Sequence, residues 1–583
     1  MEHLLEEFPR VTTAEWEAAI ARDLKGASYE RRLVWRSEEG LAVKPYYRAG
    51  DLKDLAWMDA APGEFPYRRG GRATGDWRIR EGIDAEDAKT ANREACAAVA
   101  AGAEEIAFSG VLVESCAQLK VLLRNLEEVP IHFERADERL IRLLTERHTK
   151  GRRASELSTG CDAMASVDFA AEIIEAAPAR FVPFTIHGDA FEEAGATVAE
   201  EVGLTLAAGV DFVSAMQERG VEAGSAAAAL EFGFAIGSNY FFQIAKLRAF
   251  RMVWARAIDS FGGARSQARA QIAARSSRWN KTVYDPHVNI LRATTEAMAA
   301  LIGGADSVMV APYDACYRRP DEASRRLARN TQLLLKHEAG LKRAADAAGG
   351  SYAVETFTDF LASEGWRIMQ EIEARGGYRK AQKDGAITPM LERSLSAREK
   401  AVVLRRRVFV GTNQFADPAE RALDRCEAGR ICETQFDATG RGTQAYEELR
   451  LRTERHAARG GSIPKVLLAE IGDVKMRAAR SNFAANFFAC AGMETVTRRF
   501  RKAAEIAEAK DDLIVLCSAD PEYAAIIAEL ALGLKAAGRT TPVFVAGNPE
   551  DAASLAAAGV ADFVHARSNP VEVVAKWQER LGM

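Results

Sequence analysis

Histidine is scarce in this chain, with eight among 583 residues, and beyond residue 460 His565 stands alone. That shortage narrows the room for metal and acid–base chemistry, and no His, Cys, Asp or Glu group has metal-ligand spacing. The eight cysteines (Cys96, Cys116, Cys161, Cys316, Cys426, Cys432, Cys490 and Cys517) include no CxxC pair. They predict reduced, mostly buried thiols of a cytoplasmic protein, neither a disulfide framework nor a zinc site. Nowhere do 18 uncharged apolar residues run together, which excludes a helical membrane span. An excess of one charge is missing too: 78 Lys and Arg stand against 83 Asp and Glu, a net charge of −5. Neither nucleic acid nor an anionic membrane surface is therefore expected as a partner. The opening MEHLLEEFPRVTTAEWEAAI is acidic and has no apolar stretch, unlike a signal or transit peptide. No Walker or GxGxxG pattern follows a strand-like run, so a phosphate cradle of that kind is absent.

What is present is ordered alternation. The length calls for at least two cores. Residues 1–60 read as an N-terminal arm for subunit contact. It has a helix from Trp16 to Leu24 stopped at Gly26, then a short hairpin from LVW (33–35) and LAVKPYY (41–47). Its apolar content is too low to fold alone. Over 61–390, EIAFSG (105–110), VPIHFER (129–135), RFVPFTIHG (180–188) and DSVMVAPYD (306–314) have the character of buried strands. Helical stretches such as 85–103 separate them, and a mostly apolar helix is predicted near 231–258. Repeated strand–helix units of this extent predict an eight-stranded parallel β/α (TIM) barrel. Residues 391–460 are charge-dense and read as a helical connector draped over both domains, outside any core. From 461 to 583 the alternation restarts with PKVLLAEIG, DDLIVLCSAD, TPVFVAG and ADFVHAR, which fits a flavodoxin-like doubly wound α/β domain.

Several long segments resemble the methylmalonyl-CoA mutase family. They are FPYRRGGRATGDWRIREGI (65–83), EEAGATVAEEVGLTLAAGVDF (192–212), AIGSNYFFQIAKLRAFRMVWA (235–255), WNKTVYDPHVNILRATTEAMAALIGGADSV (279–308), RLARNTQLLLKHEAG (326–340) and GGSYAVE (349–355). The resemblance implies a barrel threaded by an acyl-CoA, followed by a cobalamin-binding domain of flavodoxin type. The family interconverts methylmalonyl-CoA and succinyl-CoA, an intramolecular transfer catalysed by an isomerase.

The residues that carry that chemistry in the family are the ones this sequence departs from. A family Asp-x-His-x-x-Gly motif supplies the cobalt's lower ligand, a neutral imidazole tuned by its neighbours. The matching stretch, 469–494, keeps Asp473 but offers Lys475 or, counted back from Gly492, Arg477. Freeing a lysine lone pair from a pKa of about 10.4 at neutral pH costs roughly 4–5 kcal/mol, and arginine is effectively never deprotonated. The family's Ser-x-Leu segment reads Ser518, Ala519, Asp520, and its Gly-Gly approach reads Ala546–Gly547, whose methyl is expected to crowd a ligand. In the barrel, Asp189 and Ala190 stand where catalytic chains carry Tyr-His. The catalytic tyrosine falls in a gap between Ala73-Thr74-Gly75 and Asp76-Trp77-Arg78, and Ala273 occupies another histidine position before Trp279.

The resemblance therefore implies the smaller, non-catalytic chain of the heterodimeric enzymes, inactive alone, with no catalytic, cofactor-binding or metal residue of its own. Its expected partner is a large catalytic subunit that holds adenosylcobalamin and binds most of the acyl-CoA. Two other readings remain open: a CoA-ester-sensing regulatory module, or a cofactor-independent acyl-CoA isomerase using His187 with Asp189. His187 reads first as a histidine satisfied by backbone, His287 as the residue opening a helix, Asn239–Phe242 as core or interface, and Gly349–Gly350 as a turn.

Overall fold

The computed structural model describes residues 11–56, 58–150, 156–177, 180–427 and 440–583, without the side chains of 148–150. Cys432 lies outside the described residues. Nine parallel strands form the first sheet: β1 Arg78–Asp84, β2 Glu105–Ser109, β3 Ile131–Phe133, β4 Leu157–Thr159, β5 Phe181–Val182, β6 Phe184–His187, β7 Leu230–Ile236, β8 Gln271–Ser276 and β9 Ser307–Met309. Their order is β5-β4-β3-β2-β1-β9-β8-β7-β6. The two outermost strands flank Pro183 in the chain, so the sheet curls round into a nearly closed barrel. Proline has no N–H for the ladder, which is why the predicted run 180–188 divides there.

The helix expected near 231–258 is corrected. Its first part, Leu230–Ile236, is strand β7, and the helix starts only at Tyr240. An apolar run buried on both faces has no periodicity to separate strand from helix, and Gly237-Ser238-Asn239 is the break between them.

Helices α1 Val198–Gln217, α2 Tyr240–Ser260 and α3 Tyr352–Glu373 pack together outside β6 and β7. Glycine sets the spacing of α1 and α3. A Cβ on Gly203 would lie 2.6 Å from Ile368, and one on Gly365 would lie 2.5 Å from Val202. Within this layer the Glu355 carboxylate accepts from Arg68 Nε at 2.8 Å and from Arg248 Nη2 at 2.6 Å, with all three side chains fully buried. The Gly350 N–H adds a third bond at 3.0 Å, which ties the turn before α3 to the same carboxylate.

In the arm, helix Thr13–Asp23 buries no residue, while the hairpin Trp35–Arg36 and Ala42–Val43 lies on the barrel. Trp35 meets Phe242 edge-on at 6.1 Å, Tyr47 meets Phe357 at 5.7 Å, and Glu39 accepts from the Ala199 N–H of α1 at 2.9 Å.

The connector is less peripheral than its charge suggests. In α4, Gln444–Ala458, Tyr446, Leu449, Arg450 and Leu451 are buried. Arg450 lies 3.8 Å from the Tyr284 ring centre and donates to the Asp417 carbonyl at 2.6 Å. A charged side chain is tolerated inside because both terminal nitrogens donate to main-chain carbonyls and the guanidinium lies on an aromatic face, and sequence charge density does not reveal that.

The second sheet holds five parallel strands: β10 Lys465–Glu470, β11 Glu494–Arg499, β12 Leu513–Cys517, β13 Val543–Ala546 and β14 Val560–Val564, in the order β11-β10-β12-β13-β14. Helices α5 Val474–Ala489 and α6 Tyr523–Ala536 flank it. Strand β11, ETVTRR, carries no apolar run because it is a largely exposed edge. Trp279, Phe409, Tyr446, Phe487 and Phe488 share one core, which joins the barrel rim, the connector and this sheet.

The seven described cysteines are free, but only Cys490 and Cys517 are buried; Cys116 is exposed and the others are half-buried. The expectation of mostly buried thiols is corrected accordingly. Among the described residues no helix is long and apolar enough to cross a membrane.

Candidate functional site

Parallel strands deliver their C-terminal ends to one rim, where barrel chemistry gathers. Here β6 ends at His187. Its Nε2 faces the Gly160 carbonyl at 3.0 Å, and its Nδ1 lies 3.5 Å from Asp189. Asp189 also pairs with Arg275 at 2.8 Å, and Arg275 reaches Glu193 at 2.5 Å. Burial by itself would lower the His187 pKa, but the Asp189 bond and charge prevail and push it up to about 9. Burial likewise opposes ionisation of Asp189, yet Arg275 and His187 hold its carboxyl well below the usual range. At neutral pH the pair is imidazolium and carboxylate, so neither ring nitrogen offers a lone pair to a substrate.

The contribution from His187 is complete below its ordinary value near 6.5 and is lost as pH rises through about 9. The contribution from Asp189 is lost on the acid side, below the ordinary carboxylate range. Asp189→Asn is expected to return the His187 pKa to its ordinary value or below, followed by NMR titration of the imidazole. A value still near 9 would refute the pairing.

A second rim lies above β10 and β12, where the strand order reverses and doubly wound sheets open a crevice. Side chains of this chain fill it. Glu522 accepts from the Asp473 N–H at 3.1 Å, the Ala519 N–H at 3.2 Å and the Ser518 hydroxyl. Arg480 of α5 donates to Tyr523 Oη at 2.8 Å and to Asp520 at 2.7 Å. Its guanidinium sits on Gly547, where a Cβ would lie 2.9 Å from Cζ. Tyr523 Oη donates in turn to the Ala546 carbonyl at 2.7 Å.

The sequence profile of the methylmalonyl-CoA mutase family matches residues 159–459. The chain is 34% identical to the methylmalonyl-CoA mutase small subunit of Porphyromonas gingivalis over 619 aligned positions, covering 100% of this chain and 99% of that one. It is 32% identical to the small subunit of Streptomyces virginiae, covering 100% and 98%. A protein of Rhizobium meliloti named methylmalonyl-CoA mutase is 29% identical, over 71% of this chain and 65% of its own. The chain belongs to the methylmalonyl-CoA mutase family.

Asp473 is the N-cap of α5 and accepts from the Met476 N–H at 2.8 Å. Lys475 is exposed in the first turn, and Arg477 donates to the Gly472 carbonyl at 3.2 Å. Asp520 is Arg480's partner, and what crowds the Ala546–Gly547 approach is the Arg480 guanidinium, not the alanine methyl. His565 stands after β14 and accepts from the Arg567 N–H at 3.1 Å.

In the mutase-family barrel, Ala190 is exposed on the short helix Gly188–Glu193, while Ala273 is buried in β8 between Gly233 and Ser307. Gly75 packs against the Ala344 carbonyl, and Asp76 pairs with Lys336 at 2.8 Å. His287 takes the N-cap position of helix Val288–Ile302, Phe242 is buried while Phe241 is exposed, and Gly350 has φ +81° in its turn.

Sequence reasoning missed an interior cluster. Arg80 joins Glu105 at 3.0 Å and Glu231 at 2.9 Å, and His132 lies 2.8 Å from Ser158 Oγ and 3.5 Å from Glu231. Burial, with the Arg80 charge, pushes His132 down to about 4. The alternation of IHF placed His132 on one face of a strand, which was the one signal available. Among the described residues no group of three or more His, Cys, Asp or Glu side chains is disposed to hold a metal ion.

Proposed function

We propose that this chain is the small subunit of a heterodimeric methylmalonyl-CoA mutase, acting as a structural companion to a large subunit that binds adenosylcobalamin. The pair interconverts methylmalonyl-CoA and succinyl-CoA, with the acyl-CoA held mainly by the large subunit. The observation that carries this reading is the filled crevice above β10 and β12. Cobalamin does not fit the residues present: Arg480 and Glu522 occupy the space, and an ammonium on a helix turn replaces the imidazole ligand. Counting β5 and β6 as one strand interrupted at Pro183 supports the eight-stranded barrel reading, and the strand order of the second sheet supports the flavodoxin-like one. The arm supports a role in subunit contact: Trp16 and Trp35 are 47% and 51% exposed in the isolated chain. We place the assembly in the cytoplasm.

A cofactor-independent isomerase is disfavoured by the state of His187, a salt-bridged cation at neutral pH.

The test is expression of the chain alone and with a large subunit, followed by cobalamin absorbance and turnover. The chain alone is expected to take up no cobalamin and to form no succinyl-CoA, and Lys475→His is expected not to restore binding because the crevice stays occupied. Stoichiometric cobalamin on the unmodified chain would overturn the proposal.

A further inference from the structure

Two neighbouring carboxylates in one turn of the N-terminal arm hold two different parts of the chain. The turn 37–40 is preformed: Ser37 Oγ donates to the Leu41 carbonyl at 2.9 Å and accepts from the Leu41 N–H at 3.1 Å, while Gly40 takes φ +85°. From it, Glu39 accepts from the Ala199 N–H in the first turn of α1. The first N–H groups of a helix have no partner within it. At the start of α1, Thr197 and Glu200 each accept the other's N–H, which leaves Ala199 to the arm. Glu38, the adjacent residue, pairs with Arg407 of the connector at 3.1 Å.

The connector gathers at the same place. From helix Thr388–Val403, Ser394 Oγ donates to the Glu200 carboxylate at 2.9 Å, and Arg398 pairs with Glu192 at 2.5 Å. Leu395 of that helix packs on Gly195, where a Cβ would lie 2.5 Å from it. Arg407 follows the helix, donates to Ser238 Oγ at 3.1 Å and lies 4.5 Å from the Trp279 ring centre. Trp279 belongs to the core shared with the second sheet.

One line of contacts therefore runs from the Ala199 N–H through Glu39, Glu38, Arg407 and Trp279 to the second sheet. Its arm end is the least secured. Helix Thr13–Asp23 buries no residue, and Glu38 is exposed. Segments that bury little apolar surface open at low free energy while the core stays folded.

We propose that the turn 37–40 is a conformational latch with two states. Docked, it joins the start of α1 to the connector; released, it loosens the connector and the joint with the second sheet. Coupling of this kind is reciprocal, so weakening the connector's grip on Glu38 also frees Glu39 from α1. The latch belongs to this chain alone and stands whether or not a large subunit grips the arm.

The experiment is hydrogen exchange of the full-length chain followed by mass spectrometry. E38A/E39A is expected to keep the main melting transition while exchange over 196–203 quickens about five- to tenfold, as loss of one helix cap implies. Exchange over 404–414 should quicken in the same variant. No bond of Arg407 reaches α1, yet R407A is also expected to quicken exchange over 196–203. W16A, in the arm but outside the turn, is expected to exchange as wild type in both segments. Unchanged exchange over 404–414 in E38A/E39A, unchanged exchange over 196–203 in R407A, or an equal change in W16A would overturn the proposal.

Discussion

Glu355→Ala is expected to destabilise the barrel by about 3–5 kcal/mol, the range found when one partner of a buried ion pair is removed. The carboxylate lies between Arg68 and Arg248, with none of the three side chains exposed. Removing it leaves Arg68 without its carboxylate partner and Arg248 with Asp346 alone, in a region where burial already depresses the Arg248 pKa. Asp346 can answer only part of this, since it pairs with Arg248 and, at 3.5 Å, with Arg69. The damage spreads because the network joins the 65–71 segment, α2, α3 and the Gly350 turn. Glu355→Gln retains acceptor and shape and should fall between the two. Denaturant unfolding monitored by tryptophan fluorescence measures the effect. A loss below about 1 kcal/mol would mean the network is no more than a surface pair in its energetics.

The second large effect is expected at Trp279, which is 3% exposed and holds the connector to the barrel rim. Arg398 and Arg407 lie 3.7 and 4.5 Å from its ring centre, and Phe409 meets it at 5.5 Å. Gly442 donates its N–H to the Trp279 carbonyl at 2.8 Å and packs so closely that a Cβ would come within 2.6 Å of the ring. Trp279→Ala removes this centre and should cost about 3–5 kcal/mol, as burial of a large aromatic implies. Because the same core includes Phe487 and Phe488 of the second sheet, the variant should also uncouple the two sheets. Calorimetry is expected to show two separated transitions, and limited proteolysis should cut faster within 391–460. A single unshifted transition would show that the sheets are joined elsewhere.

Strands were legible where an apolar run was bounded by turns, as at 105–110 and 306–314. Legibility failed in two opposite situations. Leu230–Ile236 is so thoroughly buried that it has no period, and β11 is so exposed that it has no apolar run. The departures from the family at Lys475, Asp189 and Ala273 were also readable, since a substitution is visible in one position. What takes up the vacated space was not readable. Arg480 meets Asp520 forty positions away, and Arg80 meets Glu231 across the barrel. Such pairings are set by topology, and a local pattern carries no trace of them. His187 shows the same limit: its backbone bond was anticipated, but its charge depends on Asp189 of the short helix Gly188–Glu193 being held by Arg275 of β8.

The closed crevice of the second sheet has a consequence for how this chain accumulates. A protein that binds a separate molecule gains stability with that molecule's concentration, by mass action. Arg480 and Glu522 are ligands attached to their own receptor and cannot be diluted away. On the proposed companion role, a scarcity of cobalamin would leave this domain's fold untouched, and a surplus would add nothing to it.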